Sequence, residues 1–291
     1  MNNLYICPIT LEIKDFSNPI TVSEGLVIRK IKEGERCEIF GKIVTSRATK
    51  DDSTRTVSLT CCTNTVLRYP EPNIEASGKA EILAHHYYNL LHSEYIIECD
   101  NDIKIGHLIN TFLIHKEGFI HAPYSFNENG TGLHYPLYLK KDIPYILELK
   151  DIEDIRSLYN KLSTSNDKTK TCIDRYRRSL DINLSDSESY FQKVSLLESC
   201  LIEGSKELSF RFSLCLSSLL TNEIRFDLSF EKAKEIYKIR SEIAHEGKSD
   251  KLTKEEYILL RTCTREIIKW YILNGSPNKI LELVIHRKLN I

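Results

Sequence analysis

No stretch of this 291-residue chain approaches the ~20 consecutive apolar residues that a helix needs to cross a bilayer. The opening MNNLYICPIT lacks the basic and apolar regions of a secretory signal. These two absences make the cytoplasm the expected compartment and exclude a membrane from the expected partners. Net charge is almost absent as well, at −1. A protein that lives on non-specific duplex binding is usually basic. Neither the first 150 residues nor the remainder is a polycation. Any nucleic-acid contact must therefore use a local patch, or one assembled by dimerisation.

Familiar catalytic signatures are missing too. There is no glycine-rich phosphate loop, no GxSxG elbow and no HExxH spacing. No internal repeat or low-complexity segment occurs. His85, His86, His92, His107, His115, His121 and His134 crowd the first half, but their offsets from carboxylates make no convincing metal-ligand set. No metal and no cofactor are expected. Of the nine cysteines, Cys7, Cys37, Cys99, Cys172, Cys200, Cys215 and Cys263 stand alone, and Cys61 and Cys62 are adjacent. That spacing suits neither a CxxC zinc knuckle nor an easy local bridge. Reduced thiols acting as small buried hydrophobes are expected.

What is present divides into two grammars. The first ~150 residues read mainly as strands. LYICPITLEI, GLVIRKI, RCEIFGKIVTS and RTVSLTCC are short, rich in Ile, Val, Leu and Thr, and separated by polar or glycine-containing turns. FLIHKEGFIHAP reads as a hairpin turning near Lys116, Glu117 and Gly118. HYPLYL and IPYILEL read as further strands, with prolines suited to edges or strand starts. AEILAHHYYNLLHSEY fits a helix or two strands equally. SFNENGTG, from Ser125 to Gly132, reads as an exposed polar loop.

From Asp151 the pattern becomes helical. DIEDIRSLYNKLS carries acids in its first turn and apolar residues at helical spacing. STSNDKTKT, from Ser163 to Thr171, reads as a flexible joint. Four or five helices follow. One places Tyr190, Val194, Leu197 and Leu201 on a stripe behind a Ser-Glu cap signal. Another places Leu208, Phe212, Cys215 and Leu219 together, a third Phe230, Ala233, Ile236 and Ile239 or Ile243. Tyr257, Leu260, Ile267 and Tyr271 mark a fourth, and SPNKILELVIHRKL closes the chain. The expected fold is α+β: a β-rich N-terminal domain over 1–150, then an α-helical bundle over 151–291.

Within the bundle, YKIRSEIAHEGKSD draws attention. Arg240 and His245 are five apart, so they differ by about 140° around an ideal helix and do not project side by side. Gly247 is a natural residue to end the helix. His245 then sits in the last turn, where exposed carbonyls favour its protonated form. The arginine fork suits a phosphate. Cations near a helix C-terminus are also ordinary capping chemistry, so spacing alone leaves both readings open.

The same stretch resembles the Apea-like branch of the HEPN family, whose hallmark is Arg-x4–6-His near the end of a long helix. The match lies in Tyr237, Ile239, Arg240, Ser241, His245 and Gly247. CIDRYRRSL resembles that family's first helix, and SLLESCLIEGSKELSFRFSLCLSSLL its central helix pair, including Glu198, Glu207 and Arg211. The resemblance runs over residues 171–271, with the segments in the family's order. It implies a homodimeric, metal-independent endoribonuclease with Arg240 and His245 catalytic. The 2′-hydroxyl would attack the adjacent phosphorus, leaving a 2′,3′-cyclic phosphate and a 5′-hydroxyl. It also implies a setting in bacterial anti-phage defence, where a nuclease toxic to the cell halts infection. The β-rich half would sense a phage-derived trigger or bind an inhibitory partner. Some members are catalytically silent dimers that bind RNA or protein. Where many members carry Asn, Asp or His after the arginine, this chain has Ser241.

Two further groups carry open alternatives. Glu198 falls beside an apolar stripe and Arg211 between two phenylalanines. They are expected to pair across the helical hairpin, as a structural bond or as support for the active site. Lys168, Lys170, Arg175, Arg177 and Arg178 form the densest basic cluster, interleaved with Tyr176. They read either as a solvated helix face or as an RNA-backbone contact.

Overall fold

The computed structural model describes residues 4–6, 11–14, 19–32, 35, 94–118, 120, 124–127, 130–133, 144–181, 183–202 and 206–274. The segments RCEIFGKIVTS, RTVSLTCC, HYPLYL and SPNKILELVIHRKL lie outside them, as do His85, His86, His92, His121 and His134. So does most of AEILAHHYYNLLHSEY. The described chain is α+β, with N-terminal strands in small sheets followed by a mainly helical region. It forms two compact units.

The first unit holds the strands. These are β1 (Leu4–Ile6), β2 (Leu11–Ile13), β3 (Ile20–Ser23), β4 (Leu26–Lys30), β5 (Tyr95–Cys99), β6 (Tyr124–Asn127), β7 (Gly130–Leu133) and β8 (Tyr145–Leu147). Six form one sheet in the order β3-β4-β5-β1-β6-β7, antiparallel throughout. β2 and β8 pair in parallel, with Leu11 opposite Tyr145. Alternation sets the buried face: Ile20 and Val22 on β3, and Leu26 and Ile28 on β4, are buried while Thr21 is exposed. Gly25 turns β3 into β4 at φ +69°, where a side chain would meet Asp100. Arg29 on β4 binds Glu98 of β5 at 2.5 Å and also Glu35.

The second unit is built from helices. In chain order the described helices are α1 (Asp102–His115), α2 (Ile152–Ser163), α3 (Asp167–Arg178), α4 (Asp186–Leu201), α5 (Leu208–Ser218), α6 (Phe230–Glu246) and α7 (Lys254–Leu273). The division between units falls within α1 and within α2, and α3 to α7 belong wholly to the second. Its core takes Tyr190, Val194, Leu197 and Leu201 from α4, and Phe212, Cys215 and Leu216 from α5. Ala233, Ile236, Ile239 and Ile243 come from α6, and Leu260, Cys263, Ile267 and Tyr271 from α7. Most residues of the stripes expected from helical spacing are buried, while Leu208, Phe230 and Tyr257 are half-buried. Caps close the ends. Ser185 and Glu188 form a reciprocal capping box on α4. Ser229 accepts from Lys232 N–H at the start of α6, and Thr253 from Glu256 N–H at the start of α7. The core also holds a charge: Lys193 is buried, its ammonium 2.7 Å from the Ser179 carbonyl and 4.9 Å from the Tyr257 ring centre.

Three local expectations are corrected. FLIHKEGFIHAP is not a hairpin, because Phe112–His115 is the last turn of α1. Ile105, Leu108, Ile109 and Phe112 are buried at helical spacing, and Asn101 accepts from Lys104 N–H at the helix start. STSNDKTKT is not a flexible joint. Ser163 ends α2, Asn166 caps α3 by accepting from Thr169 N–H at 2.9 Å, and Thr169 is buried. SFNENGTG is a paired hairpin rather than a loop, with Ser125 opposite Gly132 and Phe126 opposite Thr131. Its ladder is made by main-chain groups, so a sequence without hydrophobic alternation hides it. Among the described residues no helix is long and apolar enough to cross a membrane.

Candidate functional site around Arg240

The site grows from the way α6 lies on the core. Ala233, Ile236, Ile239 and Ile243 face inward and fix the helix rotation. Tyr237 and Arg240, three apart, then share a neighbouring face at the edge of the core. Opposite them, α4 presents Phe191 and Glu198, two turns apart on one face. Tyr237 OH donates to Glu198 Oε1 at 3.2 Å, and Arg240 Nη2 donates to Glu198 Oε2 at 3.3 Å. The guanidinium carbon lies 4.9 Å from the Phe191 ring centre and 5.7 Å from that of Tyr237. Phe212 of α5 backs Tyr237, with ring centres 5.3 Å apart.

This packing leaves Arg240 24% and Glu198 18% exposed. The ion pair is thus shielded yet open on one side. Burial, and then the nearby Glu198 charge, push the Tyr237 phenol above its ordinary value, so it stays a donor through neutral pH. Arg240 Nε is buried without a hydrogen-bond partner. Phe191 is a member of the site that sequence reading missed. Its position seven residues before Glu198 was the available signal.

The expected pairing of Glu198 with Arg211 is corrected. Arg211 Nη1 reaches the Lys206 carbonyl at 3.5 Å instead, and its Nε is buried without a partner. Glu198 takes both donors from α6, because Tyr237 and Arg240 arrive together on one helical face.

His245 occupies the last turn of α6 and is exposed. Gly247 ends the helix at φ +76°, its N–H bonded to the Ile243 carbonyl at 2.8 Å. The chain after it is tied back: Ser249 Oγ donates to Glu242 Oε2 at 2.5 Å, and the Lys251 ammonium binds the same carboxylate. That second partner holds Glu242 below its ordinary value. No hydrogen bond or ion pair joins Arg240 to His245 among the described residues. Ser241 is half-buried beside Arg240.

The basic cluster lies on α3. Lys168, Lys170, Arg175 and Arg178 are exposed and Arg177 is half-buried. Asp174 accepts from Arg177 at 2.9 Å and from Arg178 at 3.4 Å, and Asp167 lies 3.5 Å from Lys170. Tyr176 points into the core at 3% exposure, so it offers no ring for a base to stack on. Among the described residues no group of three or more His, Cys, Asp or Glu side chains is placed to hold a metal ion. No family model matches the chain, and no curated protein and no solved structure matches it.

Proposed function

We propose that the chain is a metal-independent endoribonuclease of HEPN type that works as a homodimer. The observation that carries this reading is the state of the two candidate groups: an oriented guanidinium at the core edge and an exposed imidazole in the last turn of the same helix. The chemistry fits those groups. One neutral imidazole takes the proton of the 2′-hydroxyl as its oxygen attacks phosphorus. A second, protonated imidazole gives a proton to the departing 5′-oxygen. The products are a 2′,3′-cyclic phosphate and a 5′-hydroxyl. Arg240 supplies positive charge to the phosphorane. Two copies of α6, one from each chain, provide the two His245 imidazoles. The basic face of α3 is assigned to RNA-backbone contact. The strand-bearing unit is assigned to sensing a phage-derived trigger or an inhibitory partner, and the setting to bacterial anti-phage defence in the cytoplasm.

A second reading is favoured by one observation. Arg240 is already engaged by Glu198 and packed against Phe191 and Tyr237, which gives it a structural duty. On that reading the dimer is catalytically silent and binds RNA or protein. Incubating full-length protein with total RNA and a tRNA pool in EDTA separates the two. The nuclease predicts cyclic-phosphate and 5′-hydroxyl ends from wild type and none from Arg240→Ala. RNA retention with intact ends supports the silent module.

A further inference from the structure

Where α3 packs on α4, two thiols face each other. Cys172 Sγ and Cys200 Sγ are 3.4 Å apart, 28 residues apart in sequence, and both are free. Their side chains are 6% and 5% exposed. Neither takes part in the Arg240 site. A disulfide is about 2.05 Å long, so closing this gap needs a movement of about 1.4 Å.

The surroundings divide the labour between the two sulfurs. The hydrogen bond donated by Cys200, then the charges of Arg175 and Lys168, hold the Cys172 thiol below its ordinary value despite burial. The same bond and burial push Cys200 up. Arg175 favours a thiolate on Cys172, which is assigned the attacking role, with Cys200 as the resolving sulfur. The other core thiols of this unit are poor competitors. Burial pushes Cys215 up to about 11 and Cys263 up to about 12.

We propose that Cys172 and Cys200 are an oxidative modification site that hydrogen peroxide closes into a reversible disulfide between α3 and α4. The Cys172 thiolate attacks one peroxide oxygen, breaking the O–O bond and releasing hydroxide, and becomes a sulfenic acid. Cys200 loses its proton and attacks the Cys172 sulfur, expelling the hydroxyl as water. Two thiols are oxidised by two electrons, and one peroxide is reduced to two waters. The 6% exposure of Cys172 is the route by which peroxide would reach the pair. The bond ties the basic face of α3 to the helix that carries Glu198. Cross-linking over this separation raises the melting temperature by roughly 5–10 °C.

The test uses full-length reduced protein treated with a slight molar excess of hydrogen peroxide, then unfolded, alkylated and digested with trypsin. Residues 171–175 and 194–206 form two tryptic peptides, each with a single cysteine. The expected product is these two joined, two hydrogens lighter than their sum, and separated again by dithiothreitol. Cys172→Ala and Cys200→Ala proteins should lack it, while the wild-type map stands even where a variant fails to fold. Recovery of both peptides alkylated or as sulfinic acid, with peroxide consumed, would overturn the proposal. So would linkage of either peptide to other cysteines in preference to each other.

Discussion

Arg240 and His245 share a helix and little else. Arg240 is held by a carboxylate and two aromatic rings at the core edge, whereas His245 is exposed in the last turn. The difference teaches that the motif has a fixed half and a free half. The arginine is pre-organised by its own chain, so removing its supports costs stability. Among the described residues no hydrogen bond or ion pair holds the exposed histidine, so its removal should leave stability nearly unchanged.

Alkali acts most broadly, on the helical unit that fixes Arg240, because the core of that unit holds thiols and a phenol whose ionisation is suppressed by burial. Cys215, Cys263 and Tyr176 are raised from ordinary values of 9.0, 9.0 and 10.0 to about 11, 12 and 12. The folded state keeps these protons longer than the unfolded state. The contribution of these three groups is therefore full below about pH 9 and falls as pH rises toward 12, by about 1.4 kcal/mol per pH unit for each group that ionises only on unfolding. Denaturant midpoints across pH 8 to 11 check this, and a flat profile would contradict it.

Glu198→Ala comes next. It strands the Arg240 charge and the Tyr237 hydroxyl, and should cost about 1–3 kcal/mol in unfolding free energy. His245→Ala should stay within about 0.5 kcal/mol of wild type. Equal losses from the two variants would erase the distinction between the halves. Tyr237→Phe removes a single donor and should cost about 0.5–1.5 kcal/mol. A double-mutant cycle with Glu198→Ala should give a clear coupling energy. Gly247→Ala sharpens the free end with the smallest change. Its added carbon meets nothing within 4 Å, so only the left-handed backbone is strained, by about 1 kcal/mol. Thermal melts of the variant check that figure.

Much of the helical unit was legible because its signals are local. The Ser185–Glu188 box, Gly247, and the stripes on α4, α6 and α7 all report a helix from a few neighbouring residues. The partners of Glu198 were not legible. Tyr237 and Arg240 stand 39 and 42 residues away, and periodicity assigns a face to each helix without saying which helix it meets. The strand unit was harder for two reasons. Phe112–His115 has the composition of a strand while belonging to a helix whose buried face starts at Ile105. The β6–β7 hairpin is joined through its main chain, with polar residues that resemble a loop. Arg240 and His245 were found as a pair in sequence, yet the structure gives them separate surroundings.

The most direct measurement compares cleavage of a tRNA pool in EDTA by wild type and His245→Ala, at equal concentrations of folded protein and with melting temperatures recorded on the same samples. The account predicts unchanged melting and a loss of cleavage of at least ~100-fold, the scale of a missing general acid–base group. Undiminished cleavage by His245→Ala would contradict it.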